Sequence, residues 1–489
     1  MPPRRQPASL YSSAKTVLTD DIRFRVRVML QNGLPMNHTL DYIDQVISSL
    51  PPGSSTDIAR KALRCADFLG ERFPLSPSLL ALLVRVLIHD STTAFPITAL
   101  DSYQVRQAVL YRLCDLWHLQ VYYNLQYFHE NFNIFSTLQR LQSLPNLRQV
   151  FLSQWCSDEI ARLLSKSCPN LTLLDAQNSL SLTDSSVPSL IQCQRLKVLL
   201  IHSTSISEAA YQTLLENLPL LRKIGPCNRL KSIVSKITQS TGSYLSLREY
   251  ESCEVPDDEV LSKCPQLASL HLYGTQPWQE GPIPTLFHQV THLKLQATSG
   301  NYLNQLLTSS ILHLDLQEYH ELITEANVTT IANVCTQLRV LRLNQLSNQC
   351  RLAPGNKEAF PFSHLEELEI PDSALALDII KVSPRMRHIS IRTPRSSSPF
   401  SLRSVSTHWT DAALQNITEK KSLQCLESFV LSTRCKFSVK TILNFILGCA
   451  ELRALGNVHT WSRGQSWEES VLYIESYLEK NNLDVQIIH

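Results

Sequence analysis

Chemistry needs side chains that hold a metal, move a proton or attack a carbon, and the chain offers 15 histidines and 13 cysteines for such roles. His292 and His313 occupy the same place in two successive copies of a short apolar pattern, which should set them side by side. Imidazole pairs ligate zinc, but a tetrahedral site needs a third protein ligand and an open position, and none accompanies these two. No metal is expected. One register step away run His271, Lys294, Asp315, Arg342 and Glu369, alternating in sign from Lys294 onward, and a further step gives Gln296, Gln317 and Asn344 as a column of amides. Such charges either neutralise one another on a solvated face or offer a polar strip to a partner peptide, and both readings stand at this point. Cys168, Cys193, Cys264, Cys335 and Cys449 each stand three residues before the first leucine of a copy. Their spacing follows a packing register, so they read as small buried hydrophobes ending a helix. The chain has no Gly-x-x-x-x-Gly-Lys-Ser/Thr, no Gly-x-Gly-x-x-Gly, no His-Glu-x-x-His and no Gly-x-Ser-x-Gly. No catalytic residue and no cofactor are expected, and the chain does not read as an enzyme.

The pattern that must position these side chains is Leu-x-x-Leu-x-Leu, with clear copies starting at Leu147, Leu171, Leu196, Leu267, Val290, Ile311, Leu338, Leu365, Met386 and Leu426. Blurred copies start at Leu221, Leu247, Leu452 and Leu483. Each copy predicts a short strand whose alternate side chains point inward, followed by a turn and a covering helix. No copy can bury its apolar face alone, so the copies must stack into a parallel sheet inside an arc of helices. In that register Leu174 and Ala176 face the core, while Leu173, Asp175 and Gln177 face the open side.

The run Cys168-Pro-Asn-Leu-Thr-Leu-Leu-Asp-Ala, followed by Leu182-Thr-Asp-Ser-Ser-Val-Pro-Ser-Leu and Cys193-Gln-Arg-Leu, resembles the cysteine-containing leucine-rich repeat of the ribonuclease-inhibitor-like superfamily. Trp409-Thr-Asp-Ala-Ala-Leu repeats the Thr-Asp step, a natural helix N-cap. The resemblance covers about residues 145–489 and implies an α/β leucine-rich-repeat horseshoe. It also implies similarity to the F-box/LRR substrate receptors of cullin-type ubiquitin ligases, in which N-terminal helices contact a linker and the horseshoe holds a protein substrate. The family's F-box is not clear here: Leu34-Pro35 is followed by Ile43, Val46 and Leu50, but Pro51-Pro52-Gly53 interrupts the segment and no tryptophan precedes Trp117. A divergent F-box and a plain all-α cap sealing the first repeat both remain open.

Composition bounds the rest. The chain has 489 residues, with 45 Lys plus Arg against 43 Asp plus Glu, and a net charge of +2 gives no overall pull toward nucleic acid or membrane. Hydrophobic residues at 43% describe a folded protein, and only 12 glycines speak against glycine-rich phosphate loops. No signal-peptide pattern follows the basic start, so a cytoplasmic or nuclear protein is expected. Residues 1–18 read as a polar tail, and 19–144 as a helical region with helices near 22–30, 40–50, 58–69, 79–88 and 105–119. Residues 145–489 read as the repeat array, with a Ser- and Arg-rich loop inserted near 393–408 whose Ser398-Pro399 could take a phosphate. The expected activity is protein binding, either as the substrate-recognition subunit of a ubiquitin ligase or as a standalone scaffold.

Overall fold

A computed structural model describes residues 147–241, 244–274, 285–296, 303–319, 322–347, 350, 362–392, 408–419, 423–432, 435–458, 461 and 467–488. It also describes 118–120 and, near the start, 20–22, 24, 25, 43 and 45. Two compact units divide between Leu247 and Arg248.

In the first unit five strands run parallel, each beside the next in chain order: β1 (His118–Gln120), β2 (Gln149–Phe151), β3 (Leu173–Asp175), β4 (Val198–Leu200) and β5 (Lys223–Ile224). Parallel neighbours need a crossover, and helices Asp158–Ser167, Val187–Gln192 and Glu208–Asn217 supply it. The leucine register decides what is buried: Leu147, Val150 and Leu152, then Leu171, Leu174 and Ala176, then Leu196, Leu199 and Ile201 are all at most 1% exposed. Each fully buried leucine contributes about 1.5–3 kcal/mol, and together they form one core shared between neighbouring repeats.

The second unit continues the plan with β6 (Glu249–Ser252), β7 (Ser269–Tyr273), β8 (His292–Gln296), β9 (His313–Glu318), β10 (Val340–Leu343), β11 (Glu367–Pro371), β12 (His388–Arg392), β13 (Ser428–Leu431), β14 (Ala454–Gly456) and β15 (Gln486–Ile488). Every strand is again parallel to the next. Both units are therefore α/β leucine-rich-repeat solenoids. Toward the end of the second unit the core changes from leucine to aromatic: Phe429 meets Trp409, Phe445 and Trp461 with ring centroids 5.7, 5.0 and 6.4 Å away. The indole of Trp461 donates to the Leu431 carbonyl at 2.9 Å, which satisfies its one polar atom inside the core.

The five register cysteines all close a covering helix. Cys168, Cys193, Cys264, Cys335 and Cys449 are C-caps whose backbone N–H donates back into the last turn. All five are buried, and burial pushes the thiols up to about 12, or about 11 for Cys193. A buried neutral thiol is a poor nucleophile and a poor ligand, in keeping with a packing role.

The helix starts hold a further device. Ser157, Ser207, Asp257, Thr324, Ser373 and Ser438 each accept a backbone N–H in the first turn, as N-caps do. The acid that follows the cap reaches onward into the next repeat. Asp158 accepts from both the N–H and the hydroxyl of Thr183, at 2.7 and 2.6 Å. Asp184 accepts from Ser207 N–H at 2.7 Å, Asp258 from Leu286 N–H at 2.9 Å and Asp411 from Ser438 N–H at 2.9 Å.

Two expectations are corrected. Residues 118 and 119, assigned to a helix over 105–119 by their apolar spacing, lie in β1, where His118, Leu119 and Gln120 pair with Gln149, Val150 and Phe151. The parallel sheet thus starts before the first recognised copy, because backbone pairing to β2 overrides a helical pattern that a single apolar residue, Leu119, only weakly supports. The last copy is also offset: Leu455 pairs with Ile487, so the register there counts from residue 484 and not from Leu483. Asn482, in the left-handed region at φ 52°, turns the chain out of helix Trp467–Lys480 and absorbs the extra residue. Of the expected N-terminal helices, residues 20–22, 24, 25, 43 and 45 are helical, and Ile22 and Ile43 are fully buried. The remainder of that region, the F-box-like segment and the loop at 393–407 lie outside the described residues. Among the described residues no helix is long and apolar enough to cross a membrane.

Candidate functional site

Alternation along β7 to β12 turns every second side chain away from the core, and parallel pairing lines them into columns about 4.8 Å apart. The middle column is continuous in the second unit: His271 pairs with Lys294, Lys294 with Asp315, Asp315 with Arg342, Arg342 with Glu369 and Glu369 with Ser390. It begins one strand earlier than the polar series picked from the sequence, at Glu251 of β6. The signal was there, since the blurred copy at Leu247 puts Glu251 in the same offset.

Arg342 is the hub. Its guanidinium lies 2.6 Å from Glu367, 3.7 Å from Glu369 and 3.9 Å from Asp315, so three carboxylates converge on one cation. Glu369 is also held by Arg392, a residue of β12 that the choice of middle-column residues omitted. Its side chain is only 10% exposed, which makes it the most enclosed charge of the cluster. Asp315 spends one oxygen on the Gln317 N–H at 3.0 Å, the same local bond that Asp175 makes to Gln177 in the first unit at 3.1 Å. The carboxylates are thereby fixed in direction as well as in charge.

At the other end of the column His271 sits between Glu251, 2.8 Å from Nδ1, and the Gln296 side chain, 3.2 Å from Nε2. The carboxylate keeps a proton on Nδ1, and the amide can turn either its oxygen or its nitrogen to Nε2. The expected column of amides is altered at this point. A register shift between Lys294 and Gln296 sets Gln296 opposite Glu318 instead of Gln317. Gln296 is left to His271, while Asn344 Nδ2 donates to the backbone carbonyl of Gln317 at 2.6 Å. A bulge of this kind is a backbone irregularity with no residue signature of its own.

His292 and His313 are paired across β8 and β9, with ring centroids 4.1 Å apart and planes tilted by 36°. Desolvation first, and then the facing His292, hold His313 below the ordinary histidine value. His292 Nδ1 is engaged by the Thr291 hydroxyl at 2.8 Å. Among the described residues no group of three or more His, Cys, Asp or Glu side chains is placed to hold a metal. What the face can do chemically is present directed donors and acceptors: an Arg fork, fixed carboxylates, amides and two imidazoles.

No family model and no curated protein matches the chain. Among solved structures it is similar to an internalin from Listeria monocytogenes, with 16% identity over 71% of this chain and 81% of that one and a TM-score of 0.33. It is also similar to a TLR13–ssRNA13 complex, at 15% identity over 74% and 60% with a TM-score of 0.34. A third similarity is to the Rad7 and Elc1 complex of yeast, at 13% identity over 96% and 91% with a TM-score of 0.34. At that degree of overlap these similarities say nothing of function.

Proposed function

We propose that the chain is a non-enzymatic protein-binding module, and that a polypeptide partner lies across the open strand face of residues 248–489. The Arg342 cluster carries the reading. A planar cation fixed among Asp315, Glu367 and Glu369 on rigid strands is a preorganised surface, and preorganisation lowers the ordering cost of binding. Such a cluster favours a partner that supplies complementary donors and acceptors at strand spacing, with His271, Lys294, Gln296, Gln317 and Asn344 extending the contact and the His292–His313 pair beside it.

The finer reading is the substrate-recognition subunit of a cullin-type ubiquitin ligase, with the N-terminal helices meeting the linker. It is supported by the cysteine register and the Leu-Thr-Asp step that resemble that family. The alternative is a standalone scaffold or regulatory binder with no ligase role. Affinity purification of the full chain, of a form lacking residues 1–117 so that β1 is kept, and of Arg342→Glu, each followed by mass spectrometry, tests both levels. Partners that survive loss of residues 1–117 but vanish with Arg342→Glu support the strand face as the binding surface. A cullin and its linker retained only by the full chain support the ligase reading, and their absence from every sample removes it.

A further inference from the structure

The residue just before each strand forms a row along one rim of the sheet, because its carbonyl accepts N–H bonds from the next repeat. In the first unit the row is Arg148, Thr172, Lys197 and Arg222, linked by bonds of 2.7, 2.8 and 2.7 Å. In the second unit the same position starts with Arg248, Ala268, Thr291 and Leu312 and then runs Arg339, Glu366, Arg387, Glu427 and Arg453, these last five linked by bonds of 2.8 Å. From Arg339 onward that second row alternates in sign and neutralises itself: Arg387 Nε donates to Glu427 at 2.8 Å, and Arg339 lies 3.9 Å from Glu366. The first row contains three cations and no carboxylate. The two rows share one backbone position and differ in charge logic.

The first row also borders a depression of about 290 Å³ lined by Arg148, Asn170, Thr172, Arg195, Lys197 and Leu220. Arg195 and Lys197, which flank Leu196, meet there with Arg148 two strands away, and the described lining holds no acid. Arg195 touches only a neutral acceptor in it, Asn170 Oδ1 at 2.6 Å, and keeps its charge. Leu220, 47% exposed, forms an apolar wall.

We propose that this rim depression binds an acidic segment of a partner polypeptide, with carboxylate or phosphate oxygens received by Arg195 and Lys197 and an apolar side chain set against Leu220. Arg195 and Lys197 stand two residues apart on the approach to one strand, and an anion received between these like charges relieves their repulsion while forming charge-assisted bonds. A polypeptide fits better than a nucleic acid. The described lining offers no aromatic ring on which a base could stack, and the row spans too few cations to follow a phosphate backbone. Aspartate or glutamate runs and phosphorylated serines present the same chemistry. The site lies in the first unit and does not rest on the strand face of residues 248–489.

The test uses the full chain and three fluorescent probes followed by anisotropy: a Glu- and Asp-rich peptide, the same peptide with phosphoserines in place of the acids, and a single-stranded oligonucleotide of equal length. Expected is saturable, salt-sensitive binding of at least one peptide, weakened about tenfold or more by Arg195→Glu with Lys197→Glu, and weakened less by Lys197→Gln. Arg387→Gln, at the self-neutralised row, should leave the affinity unchanged. The tighter peptide identifies the anion. Arg195 and Lys197 lie outside the core, so an unchanged melting curve is expected for these variants. Equal binding by the double variant, failure of both peptides to saturate, or tighter binding of the oligonucleotide than of either peptide overturns the proposal.

Discussion

Glu369 makes a sharp prediction because its surroundings are asymmetric. The carboxylate is 10% exposed, whereas its partners Arg342 and Arg392 are 38% and 53% exposed. Glu369→Gln therefore releases two cations that can turn to water, and Arg342 keeps Glu367 at 2.6 Å. Both contacts of Glu369 are ion pairs without a hydrogen bond, and with both arginines part-exposed a cost of about 1 kcal/mol is expected. Removing both arginines instead strands a nearly enclosed carboxylate, for which about 3–4 kcal/mol is expected. The decisive variant is the triple. Adding Glu369→Gln to Arg342→Ala with Arg392→Ala should recover about 2 kcal/mol, because the uncompensated charge is gone. Urea unfolding followed by circular dichroism measures the three differences, and amide exchange at β11 and β12 shows where the loss falls. A triple variant no more stable than the double would refute the account, since Glu369 would then not be a charge held in place by its two arginines.

Two further outcomes follow from the same structure. Cys425 is exposed and should be alkylated in the native protein near neutral pH, whereas Cys168, Cys193, Cys264, Cys335 and Cys449, with thiols pushed up to about 11 or 12, should react only after unfolding; peptide mapping after iodoacetamide reads both sets. His313 has a lowered folded-state value, so the unfolded chain takes up the proton first: its neutral form favours the fold above the ordinary 6.5, and that contribution is lost as pH falls through the lowered value. A proton-NMR titration should find His313 below 6.5, and His313→Gln should flatten that part of the stability profile.

Most of the repeat plan was legible in the sequence because it is a matter of side-chain period. Leucine at fixed offsets gave the strands from β2 to β14 and the burial of Leu174 and Ala176, and cysteine three residues earlier gave the helix ends. The middle column followed from the same offsets, and the facing of His292 and His313 with it. What escaped was set by the backbone or by neighbours in space. β1 has too short an apolar signal to announce itself. The shift between Lys294 and Gln296 leaves no mark in residue type. Arg392 and Glu367 join the Arg342 cluster from other columns, and long side chains cross columns in ways that an offset cannot express. The Thr-Asp step was readable as a cap, but not the reach of its aspartate into the following repeat.

That reach decides where the array could be edited. At a seam closed by Asp158, Asp184, Asp258 or Asp411, one repeat completes the helix start of the next, so deleting the repeat that carries the acid leaves a backbone N–H without its acceptor. After Ser207 the acid is Glu208, which reaches Arg229 at 3.0 Å and closes its seam through a side chain alone. After Ser373 and Ser438 come Ala374 and Val439, which carry no carboxylate at all. Those two are the natural cutting points: a repeat added or removed there must re-form its strand pairing and apolar stacking with new neighbours, but it leaves no helix-start N–H stripped of a carboxylate from the repeat before it.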